Sequence, residues 1–403
     1  MAPLFEYSSV RRLRETPYIK LVTQLFGDRA LVANATGRAG SISEGILLDD
    51  ARHRRLPRVP PGVANLLEDD AEFGLGFRLA VDTAADRARL LVAELAPRIG
   101  DDLRDHAVPG RELTRGIEIA RQRERVEILR SRLASLSDPR ARSLLSVADY
   151  LVGKSIWIVG GDGWAYDIGY GGLDHVLALG RDVNVLVLDT GVYSNTGGQA
   201  SKATPLGASA RFAARGKETP RKDLGLMAMA YGHVYVAQVA LGANDAQTLR
   251  AIAEAESYHG ASLLIAYSAC IAHGFEMGAL DHQKLAVASG FWPLYRYDPR
   301  RSARGETPLQ IDSKPPTIPF DEYARSETRF RALAQSDPER ARVLIARAQA
   351  DVTARMALYQ RSRAPVSCQG RGRRHEWERT GSRRCATPAS PSPRRSWEAT
   401  SGR

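Results

Sequence analysis

Residues Ser155–Gly198 read SIWIVGGDGWAYDIGYGGLDHVLALGRDVNVLVLDTGVYSNTGG, and this stretch decides the fold. Ser155–Val159 is a short apolar run without charge, the pattern of a strand buried on both faces. It runs into Gly160-Gly161-Asp162-Gly163, where glycines let backbone approach a ligand closely. The acid then sits at the carboxyl end of the strand, the end at which open α/β sheets bind ligands. Tyr166–Leu179 is expected to be the crossover helix, interrupted by Gly169 to Gly172. Val183–Leu188 predicts a second buried strand, which ends in Asp189-Thr190-Gly191-Val192-Tyr193-Ser194-Asn195-Thr196-Gly197-Gly198. Two parallel strand ends, one carrying Asp162 and the other Thr190 and Asn195, can converge on one ion.

A diphosphate held through Mg²⁺ needs hard oxygen ligands: a carboxylate, one or two neutral oxygens and the phosphates themselves. Asp162 offers the carboxylate, the Thr190 hydroxyl one neutral oxygen and the Val192 carbonyl another. The glycines leave room for phosphates, and backbone N–H groups there can donate to them. The spacing from Asp162 to Thr190 fits a strand, a crossover helix and the next strand. The residues alone leave a second reading open, an ordinary βαβ unit whose glycines only make turns.

The stretch carries more than a spacing. GDGWAYDIGYGGLDHVLA and LDTGVYSNTGGQASKATPLGA resemble the thiamine-diphosphate domain of the pyruvate:ferredoxin (flavodoxin) oxidoreductases. The resemblance runs on through KDLGLMAMAYGHVYVAQVALGANDAQTLRAIAEAE and LLIAYSACIAHGFEMG, covering about Ser155–Tyr297. Shorter matches precede it: PLFEYS at Pro3–Ser8, ETPYIKLVTQLFGDR at Glu15–Arg29, NATG at Asn34–Gly37 and EDDAEFGLGFRLAVD at Glu68–Asp82. It implies a thiamine-diphosphate-binding fold with Mg²⁺ on Asp162, Thr190 and Val192. It also implies cofactor contacts from Gly161, Gly163, Trp164, Asn195 and Thr196. Gly191 departs from the family, in which an acidic residue stands at that place.

The reaction implied by the resemblance takes pyruvate and coenzyme A to acetyl-CoA and carbon dioxide, with electrons passing through iron–sulfur clusters to ferredoxin or flavodoxin. The thiamine cofactor supplies the electron sink. In the family, the carboxylate that activates the aminopyrimidine comes from a different domain, near the start of a much longer chain. No segment of these residues resembles that domain or the ferredoxin-like one. The family also places two cysteines between the equivalents of Tyr7-Ser8 and Glu15, and a third after NATG. Here Ser9–Arg14 and Arg38 occupy those places, and only the fourth, Cys270, is present. A four-iron cluster takes four thiolates, so Cys270 reads as a remnant of the iron–sulfur site, a small buried residue near the cofactor.

The bounds agree with an α/β protein. A chain of 403 residues with 43% hydrophobic content can bury a sizeable core. No run of eighteen apolar residues exists, so no membrane span or membrane partner is expected. Cys270, Cys368 and Cys385 make no disulfide framework, which points to a reducing cytoplasm. Residues 361–403 hold eleven Arg against three Glu, so this tail carries eight of the eleven net positive charges. It reads as a disordered Arg-rich tail. Binding of nucleic acid without sequence preference is the alternative, and specific nucleic-acid binding is not expected.

The alternation of apolar strands and helices over the rest predicts a doubly wound, mostly parallel sheet. It forms one thiamine-diphosphate-binding domain over 1–360, with its core at 150–300, an irregular insert at 38–61 and C-terminal helices over 321–360. Tyr18–Phe26 predicts a helix and Ala30–Asn34 a strand. Phe73–Ile99 predicts a long amphipathic helix with Leu79, Leu90, Leu91 and Leu95 inward. Leu113–Leu133 predicts a charged helix with Ile117, Ala120 and Leu129 as its sparse apolar face. Val234–Val239 and Leu263–Tyr267 predict strands, and Asn244 caps a helix reaching Tyr258. Asp281–Ser289 predicts a helix, Tyr297–Pro319 a proline-rich connection, and Asp337-Pro338 the start of a last helix striped by Leu344, Ala348, Val352, Met356 and Tyr359.

Two further features carry open alternatives. His273, just past a strand end, reads either as a catalytic acid or base or as a structural residue. The loop Gln199–Pro220, with Lys202, Arg211, Arg215 and Lys217, either faces a substrate carboxylate or coenzyme A phosphates, or is merely solvated. Resemblance vanishes abruptly at 9–14, at 38–61 and from about 362, as compensated reading-frame errors would produce. Two functional classes follow. The chain is either the cofactor-binding part of an oxidoreductase, complemented by the missing N-terminal domains on a separate chain, or a non-catalytic remnant that at most binds cofactor.

Overall fold

The computed structural model describes residues 16–35, 62–65, 68–100, 102–103, 116–270, 273–275 and 281–362. These lie in one compact unit, Met1–Pro365. The expectations for 9–14, 38–61 and the tail 361–403 concern residues outside that set, except Arg361 and Ser362, which end the last helix rather than being disordered.

The short aliphatic runs form the strands of one eight-stranded sheet: β1 (Ala30–Ala35), β2 (Gly62–Asn65), β3 (Ser155–Gly161), β4 (Val183–Asp189), β5 (Tyr235–Val239), β6 (Ala261–Tyr267), β7 (Tyr295–Tyr297) and β8 (Leu309–Ile311). Their order is β2-β1-β3-β4-β6-β5-β7-β8. The first six are mutually parallel, and β7 and β8 close the edge antiparallel. Three strands, β2, β7 and β8, lie outside the sequence expectations. β2 is too short and too poor in large aliphatics to read, and β8 interrupts what reads as a proline-rich connection.

Helices follow from the polar-apolar periodicity: α1 (Thr16–Phe26), α2 (Asp70–Ile99), α3 (Gly116–Ala134), α4 (Pro139–Val147), α5 (Tyr170–Ala178), α6 (Leu224–Met229), α7 (Asp245–Glu256), α8 (Asp281–Ala288), α9 (Phe320–Arg325), α10 (Thr328–Ser336) and α11 (Pro338–Ser362). A single turn, Pro299–Ser302, lies between β7 and β8. Asn244 caps α7 by accepting from the Gln247 N–H, as its position in the sequence implies. Alternate side chains of the central strands face opposite layers. Ile156, Ile158, Val185, Val187 and Ile265 pack beneath α2, α5, α6 and the C-terminal helices. Trp157, Val159, Leu186, Leu188 and Leu264 pack against α1 and α7. The sheet is therefore covered on both faces, the doubly wound arrangement expected.

Three sequence readings need correction. In α2, Leu79 and Leu90 are exposed; Val81, Ala85, Ala88, Leu91, Val92 and Leu95 form the buried stripe. Ala71 and Val81 pack against the sheet and Ala88, Leu91, Val92 and Leu95 against α3 and α4, so picking out leucines misplaces the face. In α3, Ala120 is exposed, and Ile119, Gln122, Val126, Leu129 and Leu133 point inward at alternating spacings of three and four. They pack on the C-terminal half of α2 and on α4, making a separate helical cluster. The interruption expected at Gly169–Gly172 falls at Gly169 alone. A π-helical turn, Trp164–Ile168, precedes α5, and Gly171 and Gly172 lie within α5. A Cβ on Gly172 would lie 1.9 Å from the Glu72 carboxylate, so that glycine makes room for α2.

The same closeness applies at Gly74, where a Cβ would lie 2.2 Å from Ile158 Cγ1 in the middle of β3. Gly74→Ala should therefore cost about 1–3 kcal/mol through overpacking, although alanine is the better helix former; the urea midpoint measures it. Asp70, in the first turn of α2, is buried, and its carboxylate oxygens have no hydrogen-bond partner among the described residues. Burial, reinforced by the negative charges of its acidic neighbours, pushes its pKa from 3.8 up to about 8. Folding then takes up a proton, so this group's contribution to stability falls as pH rises from about 4 to about 8. Asp70→Asn should flatten that fall, raising the melting temperature by at least ~2 °C at pH 8 and little at pH 5.

Candidate functional site

β3 and β4 are hydrogen-bonded neighbours, with Gly161 opposite Leu188. Asp162 and Thr190 follow directly at their carboxyl ends, so the residues that spacing suggested are brought together. The Thr190 hydroxyl lies 2.8 Å from Asp162 Oδ1 and 2.9 Å from the Val192 carbonyl oxygen. The Thr190 N–H also donates to Oδ1, at 3.2 Å, and the Ser201 hydroxyl to Oδ2, at 3.4 Å. Gly191, at φ +70°, lets the chain fold back so that the Val192 carbonyl meets Thr190. Thr204 holds that turn from below, donating to the Gly191 carbonyl at 2.8 Å.

One carboxylate oxygen, one hydroxyl and one carbonyl thus converge with a single hydroxyl proton among them. That donor set is electron-rich and all oxygen, the kind a hard divalent cation takes. Asp162 is buried, and burial, with the charge of Asp189 next, raises its pKa from 3.8 to about 7. Asp189, at the next strand end, is treated differently. The Arg221 guanidinium pairs with its carboxylate, and the Gly191 N–H donates to it at 3.0 Å. Burial alone would lower the Arg221 pKa; Asp189 outweighs it and the net shift is upward. Arg221 also donates to the Tyr166 hydroxyl at 2.7 Å and stacks over the Trp292 ring.

Behind this turn lies a second buried charge pair. Glu327 accepts from Arg329 at 2.5 Å, from Tyr323 at 2.8 Å and contacts His282 Nε2 at 3.0 Å. Burial alone would raise its pKa; Arg329 and the two histidines pull it well below the usual carboxylate range. Arg329 Nη1 reaches to 3.5 Å from the Thr190 carbonyl, joining the C-terminal helices to the cradle. A Cβ on Gly191 would lie 2.9 Å from the same nitrogen, so an acidic side chain there would meet Arg329. Sequence reasoning missed Asp189, Arg221, Ser201, Glu327 and Arg329. Asp189 carried a usable signal, an acid ending a buried strand just as Asp162 does; the others had none.

The remaining sequence-predicted residues lie apart from the three oxygens. Trp164 is buried in the core, packed where side chains on Gly160 and Gly169 would collide with it. Gly161 and Gly163 flank Asp162, and the Tyr193 ring fills the space a Cβ on Gly163 would need. Asn195 and Thr196 sit on an exposed turn, where Thr196 donates to Gln199 at 2.7 Å. His273 is buried, and burial, with Arg329 next, lowers its pKa to about 3. It is thus a neutral imidazole at physiological pH, accepting from the Cys270 N–H at 3.3 Å. Cys270 is buried, its sulfur 3.0 Å from the Ser194 hydroxyl. A four-iron cluster does not fit this chain, since three cysteines in all 403 residues cannot supply four thiolates. Among the described residues no helix is long and apolar enough to cross a membrane.

Residues 145–266, which hold β3, β4 and the cradle between them, match the family model described as the thiamine pyrophosphate enzyme, C-terminal TPP binding domain. Over those residues the chain is similar to the cofactor-binding domain of the thiamine pyrophosphate enzymes. It is homologous to the C-terminal part of the pyruvate-flavodoxin oxidoreductases. It is 52% identical over 374 residues to that of Trichormus variabilis, covering 91% of this chain and 31% of the relative. It is likewise 52% identical over 364 residues to that of Rhodospirillum rubrum, covering 89% and 30%. The chain thus spans under a third of the length of these relatives. The solved 2-oxoglutarate:ferredoxin oxidoreductase of Magnetococcus marinus aligns over 70% of each chain at 15% identity and a TM-score of 0.38, too loosely to inform the site.

Removing one partner of the pair behind the cradle should be costly. Glu327→Gln leaves Arg329 buried beside a neutral amide, and a loss of about 3–5 kcal/mol is expected in urea denaturation. Glu327→Leu combined with Arg329→Met should cost less than Glu327→Gln alone, because no buried charge is stranded.

Proposed function

We propose that this chain holds thiamine diphosphate through Mg²⁺ as the cofactor-binding part of a pyruvate oxidoreductase, and that it turns over nothing by itself. The reaction assigned to the whole enzyme converts pyruvate and coenzyme A to acetyl-CoA and carbon dioxide, with electrons leaving to flavodoxin or ferredoxin. The observation that carries this reading is the convergence of Asp162 Oδ1, the Thr190 hydroxyl and the Val192 carbonyl at two parallel strand ends.

In this reading Asp162, Thr190 and Val192 ligate the Mg²⁺, while Gly161 and Gly163 keep side chains away from the diphosphate. Trp164 contributes by packing, and Asn195 and Thr196 border the cofactor from the exposed turn. Bound there, thiamine diphosphate supplies the electron sink for decarboxylation of a 2-oxo acid. Ser201 and the Thr190 N–H orient the Asp162 carboxylate. Arg221 neutralises Asp189, so that Asp162 is the carboxylate left to face the cation. The reducing cytoplasm fits a chain whose three cysteines make no disulfide framework.

Three features support inactivity of the isolated chain. It spans under a third of its relatives. It has no carboxylate identified for the aminopyrimidine ring. Its three cysteines leave electrons no four-iron cluster to enter. The same cysteine deficit favours the second reading, a remnant that binds cofactor without catalysis. In isothermal titration, thiamine diphosphate with Mg²⁺ should bind the chain, and Asp162→Ala should weaken binding at least tenfold. Unaltered binding by Asp162→Ala would overturn the site. With pyruvate, coenzyme A and a low-potential dye, reduction should not exceed that of the Asp162→Ala control. Reduction above it would refute the claim of inactivity.

A further inference from the structure

Beside the cradle, on the far side of Ser201, the loop that follows β4 borders an open cavity of about 960 Å³. Its charged lining is almost wholly paired. Lys202 meets Asp167 at 3.1 Å, Arg215 meets Asp337 at 3.1 Å, Arg340 binds Glu218, and Arg221 binds Asp189. Two ammonium groups remain. Lys217 Nζ donates to the carbonyls of Thr204 and Pro220, at 2.8 and 3.2 Å. Lys222 Nζ donates to the Tyr166 carbonyl at 3.1 Å and stands 3.0 Å from the centre of the Tyr170 ring. Among the described residues neither amine is in a salt bridge. A carbonyl or a ring face accepts a hydrogen bond or stabilises a cation, but it cancels no charge.

The rim holds a further anomaly. Phe212 is 92% exposed and sits at φ +66°, a left-handed conformation that a bulky residue rarely adopts. It occupies a tight turn closed by the antiparallel bridge between Ala210 and Ala213. Strained residues of this kind concentrate at ligand clamps, and an exposed ring at a cavity rim is a stacking platform for a flat heterocycle.

We propose that this cavity binds a nucleotide, with its phosphates on Lys217 and Lys222 and its base stacked on Phe212. Cavity size suits a ligand of that class. Burial, and then the neighbouring cation in each case (Arg221 for Lys217, Lys202 for Lys222), lowers both lysine pKa values to about 8. An anion between them would relieve that crowding. The site shares Ser201 and Arg221 with the cradle and does not depend on the cofactor reading.

The test is isothermal titration of the full chain, without Mg²⁺, with ADP and with inorganic pyrophosphate. ADP should bind. Lys217→Met with Lys222→Met should weaken both ligands at least tenfold. Phe212→Ala should weaken ADP about tenfold and pyrophosphate less than twofold. Asp162→Ala should leave ADP binding unchanged while impairing thiamine diphosphate with Mg²⁺, which separates this site from the cradle. Lys217, Lys222 and Phe212 are at least partly exposed and Asp162 is buried, and melting curves verify that each variant is folded. Coenzyme A binding more tightly than ADP, with pantetheine inert, identifies a coenzyme A-type nucleotide; equal affinities identify a free one. Absence of ADP binding, indifference to the lysine changes, or displacement of ADP by thiamine diphosphate with Mg²⁺ would overturn the proposal.

Discussion

Two carboxylates side by side in a dry interior cannot both stay charged without help. Asp162 and Asp189 end adjacent strands, both buried, and the whole cradle resolves that conflict asymmetrically. Asp189 receives a full positive charge from Arg221. Asp162 receives only neutral donors, from Thr190 and Ser201. One acid is thereby neutralised and fixed as scaffold, and the other is left with a deficit of positive charge that its surroundings do not fill. Arg221, Tyr166 and Trp292 on one side and Glu327 with Arg329 on the other serve the same end, holding the Thr190–Val192 turn in register with Asp162.

The arrangement also explains why a glycine is at home in position 191. The turn needs a left-handed residue there. Arg329 stands where the first atom of a side chain would go. An acidic group at this place would compete with Glu327 for one guanidinium, whereas glycine leaves Arg329 divided between Glu327 and the Thr190 carbonyl.

Much of this was legible because buried parallel strands are written as unbroken aliphatic runs and their ends as glycine, acid and hydroxyl residues. β3, β4, β5 and β6, the α7 cap and the inward stripe of α11 follow from that grammar, as does the meeting of Asp162 with Thr190. The illegible parts share another cause. The inner faces of α2 and α3 are chosen by what lies beneath them: small residues along α2, with Ala71 on the sheet and Ala88 in the helical cluster, and a buried Gln122 whose amide reaches the Leu151 carbonyl. Arg221, Glu327 and Arg329 are polar residues in polar-looking segments, and only their long-range partners make them interior. β2, β7 and β8 are four, three and three residues long, below the length at which an alternation can be recognised.

The position of β1 has a kinetic consequence. Its neighbour β3 lies far along the chain, with Ala30 paired to Ser155, whereas β3 and β4 are joined through one short crossover. Chain closure over so long an interval is slow compared with the local pairing of β3 with β4. The unit of α1 and β1, synthesised before β3 and β4, therefore joins the sheet late, onto strands made after it. Until α1 arrives, the face carrying Trp157 and Val159 stands uncovered, a sticky surface that a nascent or truncated chain would present to its neighbours.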